Sequence, residues 1–396
     1  MFESVSAAPP DPILGLSEAF NKDDRPEKVN LTIGVYCDEQ GRTPVLEVVK
    51  KAETRLLEKE ATKTYLGIAG LPSFLAESMA LVLGSDFDTG RVAAFQTPGG
   101  TAALRVAAEF LASSHCTSRV WLSQPTWPNH PSIFQAAGLR TETYNYLTPD
   151  RTAVDFSAMM EALEQQGRAG DAVCLHACCH NPTGADLTVD QWAELAELLS
   201  QRGMLPLVDF AYLGFGDGLQ EDRQGLSQLL QRHEELIVCT SYSKNFGLYS
   251  ERVAALLILT SNHVTTENVS SNVKRVVRPN YSNPPRHGGA IVAEVLGDNQ
   301  LRQQWEAELA VMRDRINSVR HQLVERLQAH GAAKDFRFLL HQKGMFSFSG
   351  LSPLQVDWLR KEKGVYIVGS GRINVAGINS RNVDYVARSI CEALQV

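Results

Sequence analysis

Between residues 91 and 259 the chain alternates between two patterns: apolar runs of four to seven residues, and longer stretches whose apolar positions recur every three or four residues. The short runs, Arg91–Gln96, Val120–Ser123, Ala172–His176, Leu205–Asp209, Leu236–Thr240 and Val253–Leu259, read as buried strands. Helical spacing covers Val45–Leu57, Leu71–Leu83 and Ala102–Leu111. Strands that alternate with helices predict an α/β architecture, a mostly parallel sheet covered by helices.

Beyond Leu301 the period changes. Trp305, Leu309, Met312, Ile316, Val319, Leu323 and Leu327 step by 4, 3, 4, 3, 4 and 4, one apolar stripe on a long helix whose charged residues fill the opposite face. After Gly331 three short alternating segments, Phe336–Leu339, Met345–Phe348 and Val365–Val368, predict strands of a smaller α/β unit. The first dozen residues, rich in Ala, Pro and Ser, have no periodicity and read as an extended arm.

A length of 396 residues exceeds one hydrophobic core, so two domains are expected. A net charge of −7 argues against nucleic acid or an anionic membrane as partner. No apolar run approaches the roughly 20 residues of a membrane-spanning helix. Met1-Phe2-Glu3-Ser4 has neither a basic nor an apolar leader region, and the seven cysteines form no spaced framework. A cytoplasmic protein with reduced thiols is the expectation.

Three of the apolar runs end in residues with chemical potential. Leu236–Cys239 delivers Ser241-Tyr242-Ser243-Lys244, and a desolvated lysine is a nucleophilic amine suited to Schiff-base formation. Met204–Val208 ends in Asp209, with Tyr212 three residues on, where an open α/β sheet places ligand groups. Ala172–His176 runs into the turn Asn181-Pro182-Thr183-Gly184. Gln96-Thr97-Pro98-Gly99-Gly100-Thr101 follows a strand and opens a helix, so its free amides suit an anion. Taken singly, each also fits a surface charge, a helix cap or a plain turn.

Taken together, Asn181-Pro182-Thr183-Gly184, Asp209-Phe210-Ala211-Tyr212, Ser241-Tyr242-Ser243-Lys244, Asn280-Tyr281-Ser282-Asn283-Pro284-Pro285 and Gly371-Arg372-Ile373-Asn374 resemble, in order, the signatures of the aspartate/aromatic amino acid aminotransferases. The resemblance runs from Asp11-Pro12-Ile13-Leu14 to the C-terminus. It implies the fold type I of pyridoxal-phosphate-dependent transferases, with an N-terminal arm over 1–12, a large cofactor-binding domain over 41–300, and a small domain made of 13–40 and 301–396.

The resemblance also implies roles. Lys244 would hold pyridoxal 5'-phosphate, and Asp209, backed by His130, would keep its ring nitrogen protonated. Trp127 would stack on the ring, and Asn181 and Tyr212 would donate to its 3-hydroxyl oxygen. Gly99, Gly100, Thr101, Ser241 and Arg252 would hold the phosphate, and Tyr65 of a partner subunit would add a further cofactor contact. Arg372 would grip the α-carboxylate of the amino acid, Arg278 of the partner the side-chain carboxylate, with Gly34 and Val35 near the substrate. The implied enzyme is a homodimer with shared sites, transaminating L-aspartate and 2-oxoglutarate to oxaloacetate and L-glutamate.

An aromatic or dual-specificity aminotransferase stays open as an alternative. Val35, Thr43, Thr101 and Asn283 resemble the aspartate branch; Cys37 and Thr64 match neither the lysine and asparagine common there nor the tyrosine and leucine of the aromatic branch. Three further readings are set aside on the residues. His176, Cys178 and His180 would share one face of a continued strand as metal ligands, but no second ligand cluster accompanies them, so no metal is expected. Ser241-x-x-Lys244 fits a penicillin-recognising nucleophile, yet Ser-Asp-Asn and Lys-Thr-Gly are absent. A non-catalytic sensor is disfavoured by the joint presence of Lys244, Asp209, Arg252 and Arg372.

Overall fold

The structure, a computed structural model, describes residues 1–7 and 14–396; Asp11-Pro12-Ile13 and part of the expected arm lie outside the described residues. Eleven strands occur among the described residues: β1 Val29–Asn30, β2 Val92–Pro98, β3 Arg119–Gln124, β4 Arg140–Asn145, β5 Ala172–His176, β6 Leu205–Phe210, β7 Leu236–Ser241, β8 Val253–Leu259, β9 Phe346–Phe348, β10 Val365–Tyr366 and β11 Arg372–Asn374. Seven of them form one sheet in the order β2-β8-β7-β6-β5-β3-β4. Only β8 runs against its neighbours, pairing antiparallel with both β2 and β7. The rest is parallel, as the alternation predicts.

Residues buried on both faces explain the uninterrupted apolar runs, since β5, β7 and β8 have no exposed position. One face packs Leu104, Phe134 and Val273 in a single cluster. Residues of the other, including Val208, Val238 and Leu257, belong to a larger cluster with Trp192, Leu199 and Trp305. Each such fully buried aliphatic side chain contributes about 1.5–3 kcal/mol. β4 is absent from the sequence expectation because its residues Arg-Thr-Glu-Thr-Tyr-Asn lie on the sheet edge, where only Tyr144 is buried.

The long helix runs from Asn299 to Ala329, and the whole predicted stripe from Trp305 to Leu327 is buried. Trp305 stacks on Phe246 at 4.6 Å and donates from Nε1 to the carbonyl of Asn245 at 2.8 Å, which ties the helix to the residue after Lys244. Beyond it, β9 pairs antiparallel with β11, and β10 pairs parallel with β1. Two segments more than 300 residues apart therefore meet: Asn374 donates to the carbonyls of Ile33 at 2.5 Å and Val35 at 2.9 Å.

One strand expectation fails. Phe336–Leu339 is not extended; Arg337–His341 forms a 3₁₀ turn. Buried Phe336 and Leu339 stand three apart, the spacing at which 3₁₀ side chains line up. The Asp335 carboxylate accepts from the backbone and guanidinium of Arg337 and starts the turn.

Candidate active site

The carboxyl ends of β2, β3, β5, β6 and β7 share one edge of the sheet, and because β8 is reversed its amino end, with Arg252, lies there too. The loops leaving this edge line a cavity of about 280 Å³ together with Gly34, Phe346 and Arg372 of the smaller unit. The expected Gly100, Thr101, Trp127, Asn181, Asp209, Tyr212, Ser241, Lys244 and Arg252 all line it.

Gly99 has φ of 87°, a conformation that needs glycine, and starts the helix Gly100–Ser113 two residues earlier than the apolar pattern shows. A side chain at Gly99 would strike the Arg252 guanidinium, so the bare backbone is what lets arginine and helix N-terminus converge. Ser241 Oγ lies within van der Waals reach of Gly100, and the hydroxyls of Ser241 and Ser243 are 3.2 Å apart. Free first-turn amides, two hydroxyls and a guanidinium make a cup for a phosphate.

Opposite this cup, Lys244 follows β7, its Nζ lying 4.7 Å from the centroid of the Tyr212 ring. Burial holds its ammonium below the usual lysine range, with Asp209 opposing and Arg252 reinforcing the shift. The side chain is only half-buried by surface because it opens on the cavity, while protein surrounds it on every other side. For Asp209, burial pushes the carboxyl up, but the hydrogen bond and charge of His130 outweigh it and the net shift is downward. His130 Nε2 and Asp209 Oδ2 are 3.1 Å apart, and Thr126 Oγ1 sits 2.8 Å from His130 Nδ1, which orients the ring. His176 lies 5.1 Å from His130 between ring centroids; burial and His130 push it down to about 3, so it is neutral near pH 7.

On the far side Arg372 is 3 % exposed, with a single hydrogen bond from Nη2 to the Thr32 carbonyl at 2.6 Å. Its guanidinium lies 4.4 Å from the Phe346 ring centroid, and Phe346 meets Tyr212 edge-on at 6.0 Å. Asn181 Nδ2 and Tyr212 Oη are 3.4 Å apart. Trp127 turns its edge to His130 at 5.3 Å.

Tyr65 and Arg278, both expected from a partner subunit, lie on the surface of their own chain. Tyr65 is 91 % exposed, and Arg278 is exposed with Nη1 on Ser282 Oγ at 2.6 Å. Thr43 and Thr64 are exposed, and Val35, Cys37 and Asn283 half-buried, none lining the cavity. The strand that would align His176, Cys178 and His180 stops at His176, and both His180 nitrogens are engaged, by Ser123 at 2.9 Å and Thr183 at 2.8 Å. Ser243, Tyr249 and Phe346 line the cavity without having been expected. Ser243 stood inside the Ser-Tyr-Ser-Lys motif, so a signal existed; Phe346 and Tyr249 carried none, because Tyr212, 134 residues from Phe346, and Tyr36, 213 residues from Tyr249, meet them only in the fold. Tyr249 Oη accepts from the backbone of Tyr36 at 2.8 Å.

The donor set fits a phosphorylated aromatic cofactor. Asn181 Oδ1 and Arg372 Nε are buried with no partner among the described residues, so two polar groups aimed at this space lack the bonds that buried groups normally make. A phosphate cup, an ionised buried carboxylate, an amine and an open guanidinium share the same walls.

Residues 26–390 match the family described as aminotransferase class I and II. The chain is 52% identical to the aspartate aminotransferase of Salmonella typhi, covering 100% of this chain and 99% of that one. It is 46% identical to an aromatic-amino-acid aminotransferase of Pseudomonas aeruginosa, over 99% of this chain and 98% of the other. A solved structure of the aromatic-amino-acid aminotransferase from Burkholderia pseudomallei, covalently bound to pyridoxal phosphate, superposes with a TM-score of 0.96 at 46% identity, over 100% and 99% of the two chains.

Proposed function

This chain belongs to the class I and II aminotransferases, and from that premise we infer that it is a pyridoxal-phosphate-dependent enzyme converting L-aspartate and 2-oxoglutarate to oxaloacetate and L-glutamate. The observation that carries the reading is one cavity holding the Lys244 amine, the ionised Asp209 and the half-bonded Arg372. When bound, pyridoxal phosphate supplies a protonated ring that draws electrons away from the substrate's Cα.

Gly99, Gly100, Thr101, Ser241 and Arg252 hold the phosphate. Asp209 holds the proton on the ring nitrogen, and His130 fixes the carboxylate that does so. Trp127 would pack on the ring, while Asn181 Nδ2 and the Tyr212 hydroxyl, 3.4 Å apart, would donate to its phenolic oxygen. Arg372 binds the α-carboxylate with the donors the protein leaves free, and Phe346 holds the guanidinium plane. Gly34 keeps the wall beside the substrate low, since a side chain there would come within 3.3 Å of Phe346. Lys244, kept nucleophilic by burial, would anchor the cofactor until the substrate's amine displaces it; the freed Nζ would then take the Cα proton of the donor acid and, in the second half-reaction, deliver a proton to Cα of the product acid. Oxaloacetate leaves before 2-oxoglutarate enters, which gives ping-pong kinetics.

The reading extends to a large domain over 41–300, a small domain of 13–40 and 301–396, and a cytoplasmic homodimer. The pairing of β1 with β10 supports the small domain. All seven cysteines are unpaired, which supports a reducing compartment. Among the described residues no helix is long and apolar enough to cross a membrane. The exposure of Tyr65 and Arg278 supports their service to a partner's site.

Arg278 provides the test. Deleting one partner of a charge-assisted pair costs about 2–5 kcal/mol, so Arg278→Leu is expected to lower kcat/KM for aspartate by a factor of about 30 to several thousand. Phenylalanine, with no side-chain carboxylate, is expected to lose far less. Mixing Arg278→Leu chains with Lys244→Ala chains is expected to restore aspartate turnover, because one site of each heterodimer keeps both residues. Equal losses for the two amino acids would remove Arg278 from side-chain recognition. No recovery in verified heterodimers would remove it from the partner's site.

A further inference from the structure

Arg223 ends the 3₁₀ turn Glu221–Arg223, half-buried, and its side chain makes no hydrogen bond and meets no carboxylate among the described residues. Its Nε is closed off from solvent with no partner. Native structures normally give a buried polar atom of this kind a hydrogen-bond partner. Burial, reinforced by repulsion from Arg302, holds this guanidinium below the usual arginine range.

The space beside it is a cavity of about 240 Å³ outside the catalytic site. Across that space the long helix presents Arg302, Glu306, Ala310 and Arg313 at steps of 4, 4 and 3, one face of the helix. Arg302 is committed to Glu306 at 3.1 Å, and Arg313 makes a long 3.4 Å bond to the Gly214 carbonyl and a 3.5 Å ion pair with Asp314. Among the described residues Arg302 is paired with Glu306 and Arg313 with Asp314, so Arg223 is the lining guanidinium without a carboxylate partner. Leu81, Leu219, Leu309 and the exposed Gln220 and Glu221 complete the lining.

We propose that this cavity binds a small oxyanion, a phosphate or a carboxylate, which Arg223 grips and Arg302 and Arg313 flank. The planar fork of arginine suits both groups. The site is independent of transamination.

Isothermal titration of the cofactor-loaded enzyme, whose phosphate cup is filled, with pyrophosphate and separately with citrate tests the proposal. A saturable event is expected with at least one probe, weakened about tenfold or more in Arg223→Gln. Pyrophosphate alone identifies a phosphate site and citrate alone a carboxylate site; citrate heat that survives Arg223→Gln belongs to Arg372. Ala310→Glu, whose own carboxylate would reach into the cavity while Arg223 stays in place, is expected to abolish the event and retain the cofactor's absorption band. No saturable binding of either probe, or binding unchanged in Arg223→Gln, would overturn the site.

Discussion

Lys244→Ala is expected to reduce turnover by about three orders of magnitude or more, because one side chain supplies both the covalent anchor and the proton carrier. Proton transfer by a positioned group contributes about 10²–10⁴-fold on its own, before the loss of the anchor is counted. The cofactor is expected to stay bound, since the phosphate cup of Gly99 to Thr101, Ser241 and Arg252 is untouched. Borohydride treatment followed by peptide mapping separates the two effects: the wild-type chain should carry the reduced cofactor on Lys244, the variant on no residue. Label on another lysine would show that the amine beside Tyr212 is not the anchor.

Asp209→Ala is expected to act on chemistry, with kcat down by about a hundredfold or more and phosphate anchoring little changed. Asp209 is 8 % exposed and stays ionised because the hydrogen bond and charge of His130 overcome the burial that would otherwise protonate it. Among the described residues no other carboxylate lines the cavity to replace it. The His130 ring, still held by Thr126, would lose its acceptor at Nε2. Asp209→Asn, which keeps the shape and removes the charge, should resemble the alanine variant in kcat. Near-normal turnover at saturating cofactor in either variant would detach Asp209 from the ring nitrogen.

What the sequence made legible follows from where a residue lies in the sheet. β5, β7 and β8 have every side chain buried, so their apolar runs were unmistakable, and the residues at their exits, Asn181 and Lys244, inherited that clarity. β4 lies on the edge with polar residues facing water, and its pattern vanished into that of a loop. Phe336 to Leu339 alternated like a strand, but the Asp335 carboxylate bonded to Arg337 turned the segment into 3₁₀. Arg252 was expected through resemblance alone; its place became physical once β8 proved antiparallel, which carries the start of that strand to the same edge as the ends of the others. Phe346 and Tyr249 enter the site by contacts between distant segments, and no local pattern announces those.

The most direct measurement is kcat/KM for L-aspartate, L-phenylalanine and L-tyrosine, each with saturating 2-oxoglutarate. Aspartate is expected to exceed both aromatic acids, with its keto product, oxaloacetate, appearing in step with glutamate. A higher kcat/KM for phenylalanine or tyrosine, or no oxaloacetate from aspartate, would contradict the assignment.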